Sequence, residues 1–528
     1  LINSYLAPDS EREVAAKIAR RMPGVFVTAS VDVSPEMREY ERTSTAVVNA
    51  YVGPVVRRYV TDLRDALRRL EVEGELEIMQ SSGGLLSAAT VADRPVQIIE
   101  SGPAAGVIAV QRLSAELRLP NVIAFDMGGT TAKASLIENG RPFVAADYEV
   151  GGGINSQRGL NRGGGYAIRV PSIDIAEVGA SGGSLLWIDA GGSLRVGPES
   201  AGADPGPACY GRGGQRPTLT DANVVLGYLS SSSIAGGTVA VHPDLASEAL
   251  GLVAGRLGLE PLRLADGAYT IAVTSMTKAV KAVTSERGRD PRDSALVAFG
   301  GAGPIYAAAM AIELGIRRVV VPPHPGLFSA VGLLVADLER QEVGVAPAKD
   351  QQSAIEERFQ QLEQKAGASL QAHPSEIDVE RLADLRYSGQ RFELRITVPA
   401  GRFGQSQMRT LLDRFHAEHL KTYGRAEGDE LVELVNLRVT CRVPNDLRIV
   451  QLFREKEGPR EEPRRRRCYF PKTGLVQTPV VGRFEIPMEP TNGPLIVEDM
   501  DATCVVPPDA SVRRDAAGNL LIDFEGEQ

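Results

Sequence analysis

Phe125-Asp126-Met127-Gly128-Gly129-Thr130-Thr131 is the stretch on which the reading of this chain turns. The apolar run Val122-Ile123-Ala124-Phe125 precedes it, and Ala132 to Ile137 resumes an apolar pattern behind it, so two strands joined by a tight turn are predicted. Gly128 and Gly129 lack a Cβ, which lets backbone N–H groups converge on a phosphate. The Thr130 and Thr131 hydroxyls add donors, and Asp126 at the strand end is placed to hold Mg²⁺ through water. Taken alone, a plain Gly-Gly hairpin explains the same residues equally well.

Working outward, Asn139-Gly140 is a hairpin signal, and Phe143-Val144-Ala145 after it predicts a third antiparallel strand. Farther along, Phe299-Gly300-Gly301-Ala302-Gly303-Pro304 lies between a strand, Ala295 to Phe299, and a helix, Ile305 to Leu314, that Gly315 closes. Gly300, Gly301, Ala302 and Gly303 permit close approach of a flat ligand such as a purine with its ribose, and Pro304 suits a first helical turn. Close helix–strand packing is the simpler account of that loop by itself.

The flanking sequence predicts an α/β core. Helices are expected over Glu11 to Met22, from the Ser34-Pro35-Glu36 cap through a Gly53-Pro54 break to Leu70, and over Ala268 to Glu286. Short strands are expected at Glu75 to Met79, ending in Gln80-Ser81-Ser82-Gly83-Gly84, and at Val319 to Val321. Gly151 to Gly165 and much of Gly179 to Gly214 hold too many glycines for regular elements, and long loops of that kind are usually functional.

Past Pro322-Pro323 the pattern changes. A charged helix, Glu356 to Leu370, and strands Arg391 to Val398 and Val435 to Val443 predict an α+β region. Arg454 to Arg467 reads as a linker or exposed loop, in which Arg464 to Arg467 admit a phosphate contact but are more simply a solvated charge run. The remainder is strand-rich. The boundaries predicted are 1–33, 34–345, 346–450 and 451–528, since 528 residues exceed a typical single domain.

Composition removes several classes. With 58 basic and 67 acidic residues the formal charge is -9, the wrong sign for a nucleic-acid partner. No apolar run reaches the roughly 18 residues of a membrane span. Cys209, Cys441, Cys468 and Cys504 show no CxxC spacing, so neither a disulfide framework nor a structural zinc site is indicated and a cytoplasmic setting fits. His416 and His419 stand three apart, a spacing open to a metal pair or to a solvated helix face. Asp174, before the turn Gly179 to Ser184, and Asp221, after another Gly-rich loop, are further candidate carboxylates for metal binding or proton transfer. For Asp221 a helix cap is the simpler account.

The two glycine loops, in this order and about 170 residues apart, resemble the second phosphate motif and the adenosine motif of the actin, Hsp70 and sugar-kinase superfamily. Ile99-Glu-Ser-Gly-Pro-Ala-Ala-Gly-Val107, Ser200 to Gly214 with Thr220-Asp221-Ala222-Asn223, Ser285-Glu-Arg-Gly-Arg-Asp-Pro-Arg-Asp293, Glu41 to Thr45, Gln80 to Gly84 and Pro322 to Gly332 narrow the resemblance to the hydantoinase A/oxoprolinase family. That resemblance implies an actin-like, ribonuclease H-like ATPase core joined to the α+β region and the strand-rich carboxy-terminal part.

It further implies ATP and Mg²⁺ as cofactors and transfer of the γ-phosphoryl group to the carbonyl oxygen of a hydantoin-, oxoproline- or lactam-type cyclic amide. Asp126 would organise Mg²⁺, Gly128, Gly129, Thr130 and Thr131 would cradle phosphates, and Gly300 to Gly303 would seat adenosine. A hydantoinase B-like subunit in a hetero-oligomer, with room for a second divalent metal in that partner, belongs to the same expectation. A subunit of an acetone- or acetophenone-type carboxylase acting on a ketone, and an inactive nucleotide-binding or assembly fragment, are the alternatives.

Where the family often has His, this chain has Tyr306 and Glu177. No second DxGGTxT-like loop precedes residue 121, whereas the family usually carries one near its amino terminus. Residues 1–33 are therefore expected to be the remnant of an amino-terminal actin-like half, the rest of it truncated or supplied as a separate chain.

Overall fold

The central hairpin forms as read. In the computed structural model, which describes residues 1–145, 148–151, 165–347, 352–370, 372–428, 430–453 and 464–524, β1 (Val122–Met127) pairs antiparallel with β2 (Ala132–Glu138), in register from Val122 opposite Ile137 to Met127 opposite Ala132. β3 (Ala176–Val178) adds antiparallel to β2. On the other side of β1, β4 (Ala295–Phe299) and β5 (Arg318–Val321) run parallel to it. The order β3-β2-β1-β4-β5, with β2 alone running against the rest, is the ribonuclease H-like arrangement.

Both faces of this sheet are covered, which is why β1 and β4 read as unbroken apolar runs. Alternate side chains go to opposite cores. Ile123, Phe125 and Met127 pack in the cluster that includes Ala268, Met276 and Val280 of the long helix Pro261–Val283 and Ile305 and Met310 of the helix Gly303–Leu314. Val122 and Ala124 pack with Ala104 to Val110 of the helix Ser101–Glu116 and with Phe328 and Val335.

A second, six-stranded sheet is built from Glu77–Met79, Leu85–Ser87, β6 (Leu338–Val345), β7 (Asp378–Tyr387), β8 (Leu394–Thr397) and β9 (Val432–Val443), with β9 central between β6 and β7. A boundary at 345 therefore cuts between paired strands: β6 belongs to the expected core by sequence and to the α+β layer by hydrogen bonding. Buried ions fasten the amino-terminal segment to this layer. Arg438 donates to both oxygens of Asp384 at 2.8 and 3.1 Å and to both of Glu36 at 3.0 Å.

At the carboxy end, β10 (Arg464–Phe470), β11 (Gly474–Gly482), β12 (Leu495–Glu498) and β13 (Thr503–Val506) make a four-stranded sheet. β14 (Ala510–Arg514) and β15 (Leu520–Phe524) leave it and extend the core sheet, β15 pairing antiparallel with β5 from Arg318 opposite Asp523 to Val321 opposite Leu520. The predicted boundary at 451 therefore does not separate the carboxy-terminal part from the core, since β14 and β15 belong to the core sheet.

Several local expectations are corrected. Asn139 and Gly140 turn with φ 52° and 74°, but only Arg141–Pro142 continues against β2; Val144–Ala145 pairs with Ser172–Ile173 instead. The helix Glu39–Arg69 continues unbroken through Gly53-Pro54, where Gly53 is buried against the Phe26 ring and Pro54 faces solvent. Arg464 to Arg467 are strand, paired residue for residue with Val480 to Gln477. His416 and His419 form neither a metal pair nor a solvated face: the His416 ring bonds the Tyr387 hydroxyl at 2.6 Å, and buried His419 bonds the Arg425 carbonyl at 2.7 Å.

The four cysteines are buried free thiols. Among the described residues no helix is long and apolar enough to cross a membrane. Most of the glycine-rich loop expected at 151–165 lies outside the described residues.

Candidate functional site

At the tip of the β1–β2 hairpin a cleft of about 740 Å³ opens, lined by Gly128, Gly129 and Thr130 from the turn and by Gly301 and Ala302 from the second glycine loop. The two motifs, far apart in sequence, meet here because β1 and β4 are adjacent parallel strands whose carboxy-terminal ends lie side by side. The turn is held from behind. Gly183 N–H donates to the Gly129 carbonyl at 2.9 Å, the Ser181 hydroxyl donates to the same oxygen at 2.9 Å, and Gly182 N–H donates to the Gly128 carbonyl at 3.3 Å. With those carbonyls engaged, the turn is fixed. A β-carbon added at Gly128 or Gly129 would meet nothing within 4 Å. These two glycines therefore border open space, as a phosphate cradle requires.

The second loop is fitted to the first. Ala302 N–H donates to the Met127 carbonyl at 3.0 Å. Gly300 has φ 78°, a left-handed conformation that glycine adopts without strain. The helix Gly303–Leu314 starts directly behind it, with Pro304 in its first turn.

Asp126 sits at the end of β1, beneath Gly300 and opposite Lys133 on β2. Burial pushes its carboxyl above the usual range, and the Lys133 charge offsets this only in part. A cation brought to this carboxylate would favour its ionised form. Among the described residues no group of three or more His, Cys, Asp or Glu side chains gathers as a metal site. The donor set fits Mg²⁺, which characteristically takes one or two protein carboxylates and fills its remaining positions with phosphate oxygens and water.

Sequence reasoning missed three parts of the cleft. Asn223 lines it and is buried; its amide donates to the Tyr306 hydroxyl at 2.8 Å, which in turn stacks through its ring on Tyr269, and the Asn223 Oδ1 has no hydrogen-bond partner among the described residues. Burial raises the Tyr306 hydroxyl pKa, so this neutral donor and acceptor occupies the position where a histidine was expected. The loop Ser230 to Gly237 and the carboxy-terminal stretch Glu498 to Thr503 also line the cleft, with Arg464 beside them. Asp501 accepts from Gly326 N–H at 2.9 Å and closes over the second glycine loop. No local motif announces that stretch, because its position depends on β12 and β13 folding back across the core.

The other two candidate carboxylates stand elsewhere. Asp221 is the third residue of the helix Leu219–Val225, in a capping box with Thr218; its oxygens accept from Thr218 N–H and Oγ1 at 2.8 Å, Cys209 N–H at 2.7 Å and Ala208 N–H at 3.2 Å. It ties the 201–214 loop to the helix that carries Asn223. Asp174 is buried beside Arg287, at 2.5 Å, away from the nucleotide loops. The structure brings together Gly128 to Thr130, Gly300 to Ala302 and Asp126, and leaves Asp174 and Asp221 outside that group.

With this geometry in hand, known proteins are informative. The hydantoinase/oxoprolinase family model matches residues 42–342. The chain is 40% identical over 527 residues to the uncharacterized protein MJ0964 of Methanocaldococcus jannaschii, covering 99% of this chain and 76% of that protein. It is 34% identical over 440 residues to the caprolactamase subunit alpha of Pseudomonas jessenii, covering 81% of this chain and 61% of the relative. The crystal structure of the ATP-dependent caprolactamase from Pseudomonas jessenii superposes with a TM-score of 0.84 at 31% identity, over 99% of this chain and 76% of that one. Nucleotide-free acetone carboxylase shares the fold at 22% identity and a TM-score of 0.73, over 99% of this chain and 76% of its own. The chain therefore belongs to the hydantoinase/oxoprolinase family.

Proposed function

We propose that this chain is the ATP-handling subunit of an enzyme that phosphorylates the carbonyl oxygen of a hydantoin-, oxoproline- or lactam-type cyclic amide, so that the ring can be opened. The observation that carries the reading is the open glycine cradle at Gly128 and Gly129 set against the Gly300 loop. The likeness to an ATP-dependent caprolactamase along nearly the whole chain supports it.

Amide resonance makes a lactam carbonyl a poor electrophile, and placing a phosphoryl group on its oxygen removes that protection. ATP with Mg²⁺, when bound, supplies the γ-phosphoryl group and the counter-charge. The chain supplies position and fixed dipoles. Backbone N–H groups and hydroxyls of Gly128 to Thr131 would hold the phosphates, Asp126 would hold the metal, and Gly300 to Gly303 would seat the adenosine. Asn223, with its unpartnered Oδ1, is placed to accept from an amino or hydroxyl group of the nucleotide. On this reading Asp221 and Asp174 act as supports, one capping a helix that lines the cleft and the other holding Arg287.

The caprolactamase relative is named as a subunit alpha. We assign this chain a hydantoinase B-like partner in a hetero-oligomer, with any second divalent metal in that partner, working in the cytoplasm. The test is phosphate release by the co-purified subunits over a panel of lactams, hydantoins and oxoproline. Release stimulated by a cyclic amide and lost in Asp126→Asn supports the reading; a panel with no stimulation rejects it. Turnover that requires bicarbonate and a ketone would place the chain with the carboxylases instead.

A further inference from the structure

Among the described residues, two of the buried side-chain polar atoms without a hydrogen-bond partner belong to residues that line the nucleotide cleft: the Oδ1 of Asn223 and the Oδ1 of Asp501. Both are acceptors. They come from separate elements, Asn223 from the helix Leu219–Val225 and Asp501 from the turn that joins β12 to β13. A buried acceptor left without a donor bears the full cost of its lost hydration, so a pair of them at one cleft points to a ligand that brings donors.

The Asn223 amide is held in one orientation. Asn223 is 1% exposed, and its Nδ2 donates to the Tyr306 hydroxyl at 2.8 Å. Tyr306 is wholly buried; its ring stacks on Tyr269 at 4.8 Å between centres, and the Tyr269 hydroxyl donates to the Ile305 carbonyl at 3.0 Å. With its amino group spent on Tyr306, Asn223 offers only an acceptor. Tyr306 lies one helical turn past Ala302, in the helix that starts behind the second glycine loop. The acceptor is thereby registered to that loop.

Asp501 is fastened to the same loop by other contacts. One of its carboxylate oxygens accepts from Gly326 N–H at 2.9 Å, and the Pro325 carbonyl beside it accepts from Gly300 N–H at 2.8 Å. The Asp501 carbonyl oxygen stands 3.4 Å from where a β-carbon would lie at Gly301. Asp501 is partly exposed, whereas Asn223 is buried. The deeper acceptor suits the flat base of a nucleoside, and the shallower one suits its sugar.

We propose that these acceptors select the nucleoside, Asn223 Oδ1 taking the 6-amino group of adenine and Asp501 Oδ1 the ribose 2′-hydroxyl, with Tyr306 as the residue that positions Asn223. The inference rests on the nucleotide reading of this cleft and names the base and sugar it admits. A purine with oxygen at position 6 would set acceptor against acceptor at Asn223, and Tyr306 keeps the amide from turning its donor outward. A site built to bond a donor rejects the analogue that lacks it. A carboxylate that accepts from a ribose hydroxyl is a recurrent device of nucleotide sites.

The experiment is calorimetric titration of the whole chain with the magnesium complexes of ATP, of ITP, which carries oxygen in place of the 6-amino group, and of 2′-deoxy-ATP. The wild type is expected to bind ITP roughly tenfold, and 2′-deoxy-ATP roughly fivefold, more weakly than ATP. Asn223→Leu and Tyr306→Phe should each collapse the preference for ATP over ITP. Asp501→Asn keeps an acceptor for Gly326 N–H and turns the other oxygen into a donor, and should collapse the preference for ribose. A variant that binds all three nucleotides more weakly with unchanged ratios has a structural role only, which overturns its assignment. Should a variant fail to fold, the wild-type ratios decide. Equal binding of ATP and ITP overturns the roles of Asn223 and Tyr306, and equal binding of ATP and 2′-deoxy-ATP that of Asp501, with the ATP reading left standing. Absence of binding by any of the three overturns the ATP reading and this inference together.

Discussion

Gly300 lies over Asp126 so closely that a β-carbon at position 300 would stand 2.5 Å from the Asp126 Oδ1 and 2.4 Å from the Met127 carbonyl oxygen. Position 300 also has φ 78°, which costs an alanine about 1 kcal/mol or more. Gly300→Ala combines that strain with overpacking worth roughly 1–3 kcal/mol. A total loss of about 2–4 kcal/mol is expected in urea melts, together with weakened nucleotide binding. An unchanged melt would show that the two loops are not fitted as described.

Two other glycines of the cleft are expected to respond in opposite ways. A side chain at Gly129 enters open space, whereas one at Gly183 meets the Gly129 carbonyl oxygen and the Ser200 hydroxyl, each at 2.7 Å. Gly129→Val should therefore keep the wild-type melting temperature and lose nucleotide binding by calorimetry. Gly183→Val should lose stability. Equal destabilisation by both would contradict the open cradle.

Asp126→Asn separates stability from chemistry. Burial raises the Asp126 carboxyl in the folded chain, so the folded state binds its proton more tightly than the unfolded state does, and stability from this group falls as pH rises above the unfolded value near 4. Asparagine removes that cost. The variant is expected to melt at or above the wild-type temperature at pH 7 and to lose about 100-fold or more in phosphoryl transfer. A variant that unfolds, or that retains turnover, would remove Asp126 from the role assigned.

Asp384 shows the reverse sign. Burial opposes its ionisation, but Arg438 and Arg395 outweigh burial and hold the carboxyl below its usual range. Its contribution is present above about pH 4 and is lost as pH falls toward the folded value. Asp384→Ala leaves Arg438 buried with Glu36 as its remaining anion, at an expected cost of about 3–5 kcal/mol near neutrality. The difference from wild type should shrink in melts at pH 3 and below, and a constant difference would contradict the linkage.

The core was legible because its signals are local. Apolar runs bounded by glycines mark β1 and β4, and Gly315 closes the helix behind Gly300 with φ 70°. Of the residues expected to hold nucleotide, Gly128, Gly129, Thr130, Gly301 and Ala302 line the cleft where two parallel strands end together. What escaped reading depended on long-range pairing. β6 joins β9 and β15 joins β5, and neither registration leaves a mark in the residues themselves. Asn223 stood within a quoted motif, yet its polar type gave no sign that its helix would be turned toward the cleft by the Asp221 cap. Arg464 to Arg467 are largely solvated, as read, but were expected in a loop because a run of four arginines contradicts ordinary strand composition; pairing with β11 and the Glu498 partner hold it as strand.

β15 reaches back about 200 residues to pair with β5, and Asp501 closes over the glycine loop from the same carboxy-terminal part. During synthesis, therefore, the nucleotide cleft stays open-sided until β15 has left the ribosome. Nascent chains released before residue 524 would carry every glycine of the cradle and still expose the β5 edge, a template for mispairing that β15 covers.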